Sequence, residues 1–319
     1  DRTVTLPEML REAGYQTLMS GKWHVTHYDY TDENPNEHRE SWPLQRGFDR
    51  FFGTIAGAGS FYNPKSLLDG NTFIQPEPGF YYTDAINARA VEMIDQADPD
   101  QPLFLYLAHV APHWPLHAHE EDIARYDGMY DGGWDSLRDV RYARMLEMGL
   151  IDPQWGLSPR DPDVPAWDTV SNKRWEIRRM QVYAAQLHAL DRGLGRVAEA
   201  IRRRGRADNT LIVFMSDNGA SQEVIGGVST RHGYYARGGT RPDVDPGPPD
   251  TFASYGRSWA NSSNTPYRWF KKRSHEGGVA TPFIAHWPAG LGEPGEFRHD
   301  PAHVIDLMPT FVQLAGGRY

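Results

Sequence analysis

Lys22 and His24 stand together in "GYQTLMSGKWH" (14–24), directly after an apolar run. A lysine and a histidine placed there are costly to desolvate unless something pairs with them, and an anion would do so. Three other polar groups border apolar runs. His113 lies in "APHWPLHA" (111–118), and Asp217 and Asn218 end "FMSDNGA" (214–220). Lys271 and Lys272 open "KKRSHEGG" (271–278), which leads into "VATPFIAHW" (279–287). An Asp/Asn pair suits a hard cation such as calcium or magnesium. Two lysines and a histidine suit an oxyanion whose charge changes during a reaction. Singly each group is ordinary: a Lys-Trp-His is commonly a solvated loop, and an Asp-Asn-Gly after a strand is commonly a turn. Their joint position at the ends of apolar runs is what carries information.

The elements that must position them can be read from pattern. Thr5-Leu6-Pro7-Glu8 predicts a capping box that starts a helix with an apolar face at Met9, Leu10 and Ala13. Residues 15–19 predict a short strand ending at Ser20-Gly21. Residues 26–82, rich in Gly, Pro, Asn and aromatics, predict long loops over one face. Thr83 is placed to cap a helix buried through Ile86, Ala90, Met93, Ile94 and Ala97. "PLFLYLAHV" (102–110) and "NTLIVFMSDNG" (209–219) predict central buried strands, and 279–287 a fourth. One helix is expected near 135–148. A long one is expected over 172–204, with Met180, Tyr183, Leu187, Leu190, Leu194, Val197 and Ile201 inward. Residues 220–262 predict a second loop excursion, and Asp306 is placed to cap a last helix running to Leu314. This order predicts an α/β fold with a large mixed, mainly parallel sheet flanked by helices. If the strands are parallel neighbours, all four polar groups meet at one sheet edge, where ligands bind in such folds.

Composition bounds the function. The 319 residues include no cysteine, so disulfides, thiolate metal sites and an encoded cysteine nucleophile are excluded. A net charge of −9 gives no global attraction for nucleic acid or an anionic membrane, so neither is expected as a partner and any anion must be held locally. No apolar run reaches transmembrane length. His109, His113 and His117, four apart, invite a zinc reading, but Pro112 and Pro115 oppose a regular helix there. His109 is therefore expected to be structural, and His117 and His119 to lie on the surface.

These blocks together resemble the sulfatases, on the arylsulfatase branch of the alkaline phosphatase superfamily. "GYQTLMSGKWH" resembles a sulfatase signature along its length. "APHWPLHA", "FMSDNGA" and "NTPYRWFKKRSHEGGVATPFIAHWP" (264–288) resemble further family blocks in the same order. The resemblance runs from about Leu6 to Ala315. It implies a sulfatase catalytic domain over 1–319 and hydrolysis of a small-molecule or saccharide sulfate ester. It also implies a divalent cation, usually calcium, and a formylglycine nucleophile. By motif position Lys22, His24, His113 and Lys271 resemble catalytic groups, and Lys22, His113 and Lys271 also bind substrate. Asp217 and Asn218 resemble two of the metal ligands. Lys272 is the neighbouring alternative to Lys271.

The family's first strand with its Asp pair, and the Cys/Ser-x-Pro-x-Arg segment, are not among these residues. Ser41-Trp42-Pro43 is a false lead, because Gln45 stands where the arginine belongs and Arg46 comes one residue late. The chain, starting at Asp1 without Met or signal segment, is expected to be a processed or truncated product that also lacks the C-terminal subdomain. Residues 1–319 alone are then expected not to hydrolyse sulfate esters and to bind calcium poorly. Two other readings stay open: a phosphate or phosphonate monoester hydrolase of the same superfamily, and a non-catalytic anion-binding fragment. Trp114, Tyr62 and Trp155 are candidate pocket walls, and residues 268–273 a candidate basic patch. Family members are often exported, which leaves a periplasmic or secreted location open.

Overall fold

The computed structural model describes residues 3–26, 39–226, 237–292 and 294–319. The chain starts as its caps dictate. Helix α1 (Leu6–Glu12) carries the full box: the Thr5 hydroxyl accepts from the Glu8 amide at 3.4 Å and the Glu8 carboxylate accepts from the Thr5 amide at 2.7 Å. Strand β1 (Gln16–Lys22) follows, and Lys22 ends it.

Strands β2 (Arg50–Thr54), β3 (Leu67–Asp69) and β4 (Thr72–Phe73) lie where long loops were expected. Glycines, turn residues and aromatics around them hide runs of two to five residues from any periodicity test. The part of that expected loop covering 27–38 lies outside the described residues, as does 227–236 of the later one. Helix α2 (Tyr82–Gln96) leads to β5 (Leu103–Ala108), α3 (Glu120–Ile123), α4 (Gly133–Glu147) and the long α5 (Lys173–Arg203). Then come β6 (Ile212–Met215), β7 (Arg237–Gly238), β8 (Thr251–Phe252), α6 (Gly256–Ser263), α7 (Glu276–Val279), β9 (Phe283–His286) and α8 (Leu307–Leu314). Thr83 is buried inside the first turn of α2 rather than capping it; the N-cap is Tyr81. Asp306 is the N-cap of α8, but its carboxylate accepts from the His303 amide at 2.8 Å and so closes the preceding turn.

The main sheet runs β4-β3-β2-β1-β5, with β1 parallel to both β2 and β5 and β3 and β4 antiparallel. Alternation sorts its residues by face. Leu18 and Phe52 face a core with Tyr82, Ile86, Met93 and Leu190, while Met19 and Phe51 face Trp42, Phe48, Ile55 and Leu68 on the other side. Helix α5 is the spine. Its first half joins a core of Trp134, Trp167, Trp259 and Phe270, and its second half packs on α2. That second contact uses small residues, Ala189, Gly193 and Ala200. A Cβ on Gly193 would come within 2.0 Å of the Asn87 side chain. The buried face is rotated by these small residues, so Leu187, expected inward, is 38% exposed.

The third and fourth expected strands differ from the prediction. Strands β6 and β9 pair antiparallel with each other in a separate ribbon, Met215 opposite Phe283 and Ile212 opposite His286. Their apolar side chains stay partly exposed, Phe214, Met215, Phe283 and Ile284 among them, as does Tyr106 on β5. Among the described residues no strand pairs with the outer edges of β5 or β6. A continuous apolar run gives strand identity but not direction or coverage.

The centre of the main sheet tolerates no side chain near the end of β1. A Cβ on Gly53 would lie 1.7 Å from the Gly21 carbonyl oxygen, and one on Gly21 would lie 2.0 Å from that of Ala108. Both glycines have positive φ, 153° and 126°. Gly53→Ala is expected to destabilise the protein by at least about 2 kcal/mol through overpacking and backbone strain. Urea unfolding checks this, and an unchanged midpoint refutes the close approach.

Candidate active site

Four chain segments deliver the polar groups. Lys22 closes β1, and the next residues turn sharply: His24 adopts φ 51°, a left-handed conformation uncommon outside glycine. Trp23 anchors the turn by donating from Nε1 to the Ser41 carbonyl at 2.8 Å, and the Ser41 hydroxyl bonds Thr26. Ser41 thus supports the Lys22–His24 turn. Arg46 is equally structural, ion-paired to Glu8 and donating to the Thr3 carbonyl. A Cβ on Gly57 would meet the His24 imidazole at 2.7 Å, so the 55–58 segment leaves room for that ring only because residue 57 is glycine.

His113 follows β5, its amide donating to Val110 and its ring Nδ1 lying 2.6 Å from the Trp114 carbonyl oxygen. A carbonyl only accepts, so Nδ1 carries the proton in the neutral ring and Nε2 does not. The Trp114 indole is tilted against the His113 ring, centroids 4.6 Å apart.

Asp217 and Asn218 follow β6, and Lys271 precedes β9. The parallel arrangement expected for these two strands would have put Lys271 at the far end of the ribbon. The antiparallel pairing instead sets the start of β9 beside the end of β6, so the turn before β9 meets the turn after β6. The two turns are bolted together. The Lys271 amide donates to the Ala220 carbonyl at 3.0 Å, and the Gly219 amide to Gly278 at 3.1 Å. Asn264 accepts from the Ala220 amide and donates to the Trp269 and Gly277 carbonyls at 2.8 and 2.7 Å. A Cβ on Gly219 would sit 1.9 Å from the Gly277 oxygen. Trp269 and Lys272 have left-handed φ of 69° and 75°. Such conformations persist only where surroundings over-determine them and cluster at functional sites.

The charges then act on one another across segments. Burial lowers the Lys22 pKa; Asp217 opposes this and Lys271 adds to it. Partial desolvation, then the ammoniums of Lys22 and Lys271, hold His24 below its ordinary value. Burial pushes His113 down to about 4, against the bond to Trp114, with Lys22 and Lys271 lowering it further and Glu223 raising it. Lys22, His24, His113, Asp217 and Lys271 thus lie near enough to act on one another's charge and form one polar group beyond the carboxyl ends of β1, β5 and β6. Asn218 adjoins it, its amide donating to the Gly219 carbonyl at 2.9 Å and leaving its oxygen as the donor type a hard cation takes.

Lys272 is turned elsewhere, into an ion pair with Glu223. Glu223, Asn264, Gly57 and Gly219 were not singled out from the sequence. Asn264 and Gly219 lie inside the family blocks 264–288 and 214–220, which is the signal that could have found them. Glu223 carries no such signal.

The other histidines behave differently from expectation. His117 is completely buried. Its Nε2 donates to the Thr251 carbonyl at 2.7 Å and its Nδ1 accepts from the Phe61 amide at 3.3 Å, a cross-link between distant segments that no local pattern reveals. His119 is half-buried, its ring 4.6 Å from that of Tyr81. His109 is structural as expected, bonded to Asn87 at 3.1 Å. Tyr62 joins this interior aromatic group with His117 and His119 rather than forming a pocket wall. Trp155 lies in a turn against α4, its carbonyl accepting from Tyr142. Trp114 is the one of the three that borders His113.

Asp217 and Asn218 have the right oxygen chemistry for calcium, but calcium takes about 6–8 oxygens. Among the described residues no group of three or more His, Cys, Asp or Glu side chains could hold a metal. The residues present supply part of a cation site and do not complete one. Among the described residues no helix is long and apolar enough to cross a membrane.

The α/β frame, a mixed and mostly parallel sheet flanked by helices, is the alkaline phosphatase-like fold of the sulfatases. The chain is a member of the sulfatase family, whose profile matches residues 1–317. It is 31% identical to an arylsulfatase of Klebsiella aerogenes over 99% of the chain and 68% of that protein. It is 32% identical to an uncharacterized sulfatase of Schizosaccharomyces pombe, over 99% of the chain and 58% of that protein. Among solved structures it resembles Ps i-CgsB in complex with k-i-k-neocarrahexaose, with a TM-score of 0.62 and 25% identity, over 98% of the chain and 53% of that one. The putative sulfatase yidJ from Bacteroides fragilis gives the same TM-score at 19% identity, over 99% and 56%, and supports the fold. The chain thus spans between half and about two thirds of these relatives.

Proposed function

We propose that the protein hydrolyses a sulfate ester and that Lys22, His24, His113 and Lys271 form its anion site. The observation that supports this is that Lys22, Lys271, His24 and His113 lie near enough to perturb one another's charge, with Asp217 opposing the effect of burial on Lys22. Like charges gathered this way destabilise one another until an anion sits between them. In this reading Lys22 and Lys271 hold sulfate oxygens and stabilise the charge that shifts as the S–O bond breaks. His113, its Nδ1 proton fixed on Trp114, presents Nε2 to the leaving oxygen. As a general acid it must be protonated there, and an anion beside it raises a pKa that burial has driven down.

Asp217 and Asn218 would offer oxygens to a divalent cation. Such a cation would polarise a sulfate oxygen. The substrate is a small aryl or saccharide sulfate; Trp114 beside His113 supplies an apolar wall for a ring. The test is a parallel assay of an aryl sulfate, an aryl phosphate and an aryl phosphonate on the full-length protein. Turnover of the sulfate ester well above the other two is expected. Preference for the phosphonate, or no turnover of any ester with no binding of inorganic sulfate, overturns the reading.

A further inference from the structure

Glu223 lies just beyond the anion site, and three segments end on it. Its Oε2 accepts from the Trp114 indole Nε1 at 3.0 Å, and its Oε1 pairs with the Lys272 ammonium. Its own backbone is held from behind: the Ser254 hydroxyl donates to the Glu223 carbonyl at 2.6 Å, and the Glu223 amide donates to the Ser221 hydroxyl at 3.3 Å. The Ser221 hydroxyl also donates to Oε2 at 3.4 Å, so the carboxylate is held by its own loop as well as by its two partners. The bond to Lys272, then that to Trp114, keep its pKa below the usual glutamate value against partial burial, so it is ionised at neutral pH. Trp114 in turn borders His113 on two counts, through the tilted ring contact at 4.6 Å and through the carbonyl that fixes the Nδ1 proton. The other face of the indole meets Phe252 edge-on at 5.7 Å.

We infer that Glu223 is a positioning residue of the candidate active site, orienting His113 through Trp114 by one carboxylate oxygen while its other oxygen holds Lys272 away from the anion. The inference deepens the proposed sulfate-ester reading and rests on it for the role of His113. The two arms have separable consequences. Losing the Trp114 arm frees the indole and, with it, the carbonyl that sets the imidazole tautomer. That should lower kcat and leave KM nearly unchanged, because the lysines still hold the anion. Losing the Lys272 arm removes a negative charge that faces Lys271 and His113 and releases a cation beside the anion. That should lower KM and leave kcat nearly unchanged.

Glu223→Gln separates the arms, since its amide oxygen can still accept from the indole while its NH2 cannot accept from Lys272. The expected result on the full-length protein is kcat within twofold of wild type and a lower KM for Glu223→Gln. Glu223→Ala and Trp114→Phe should both lose at least about tenfold in kcat, since orienting effects of this kind act on the transition state. Equal kcat for Glu223→Ala and wild type overturns the inference, as does an equal loss in Glu223→Gln and Glu223→Ala. A second readout needs no turnover. The nitrogen chemical shifts of His113, assigned by comparison with His113→Gln, should report an Nδ1–H ring in wild type and Glu223→Gln and a mixed tautomer in Glu223→Ala. An unchanged tautomer in Glu223→Ala refutes the positioning role. If the tautomer responds while no sulfate ester is turned over, the positioning stands and the sulfatase reading falls.

Discussion

Lys22→Ala and Lys271→Ala are each expected to reduce aryl sulfate turnover by about 10²–10³ while leaving the fold intact, the size typical of removing one preorganised stabiliser of developing charge. The two lysines come from different elements, one from the end of β1 and one from the turn before β9, so neither can substitute for the other. Folding should hardly suffer. Burial, and then Lys271, disfavour the charged form of Lys22 against Asp217, so its loss relieves an unfavourable burial as well as removing a contact. Truncating Lys272 should behave differently, because its ammonium is engaged by Glu223. The measurement is kcat and KM for the three variants, with urea unfolding as control. Turnover unchanged in Lys22→Ala and Lys271→Ala refutes the assignment. A large kcat loss confined to Lys272→Ala would move the second sulfate lysine by one residue.

How much of this site was legible depended on range. The Thr5–Glu8 box, the 103–108 strand and the 173–203 helix were readable because their signals are local: a cap three residues from its partner, a run of six apolar residues, a stripe over eight turns. The groups at strand ends were readable as candidates because a charged residue after an apolar run is locally odd. What the sequence concealed was set at a distance. Whether β9 runs parallel or antiparallel to β6 is decided by pairing partners some seventy residues apart. Lys271 comes beside the turn after β6 because that pairing is antiparallel. His117 looked like a surface histidine because its partners, Phe61 and Thr251, lie 56 and 134 residues away. Leu187 looked buried because its spacing fits a stripe, yet the face that closes on α2 is chosen by Ala189 and Gly193, residues a hydrophobicity pattern ranks low.

The buried histidines lead to the second large effect: the protein should lose about 6 kcal/mol of stability between pH 6.5 and 4 through His109 and His117. Burial pushes both imidazoles down to about 4 from an ordinary value of 6.5. Each shift of about 2.5 units corresponds to about 3 kcal/mol at 1.36 kcal/mol per unit. The sign follows from proton counting. Below pH 6.5 the unfolded chain binds a proton at each histidine and the folded one does not, so stability falls as pH falls, and it levels off below about 4.

The geometry gives the reason for His117. Its Nδ1 accepts from the Phe61 amide, so a proton on that nitrogen would face a donor with a donor, in a ring with no access to water. His109 donates to Asn87 Oδ1, whose amide nitrogen is committed to the Thr83 carbonyl, so that pair also has one allowed tautomer. A loss of this size is comparable to the whole stability of an ordinary domain. Urea unfolding at several pH values checks it. Between pH 6 and 4.5 the free energy should fall by up to about 4 kcal/mol per pH unit, three protons at 1.36 each, because His113 is also pushed down to about 4. His117→Gln, whose amide can still accept from Phe61 and donate to Thr251, should cut that slope by about a third. Equal slopes in the two proteins would mean that His117 takes up its proton without unfolding.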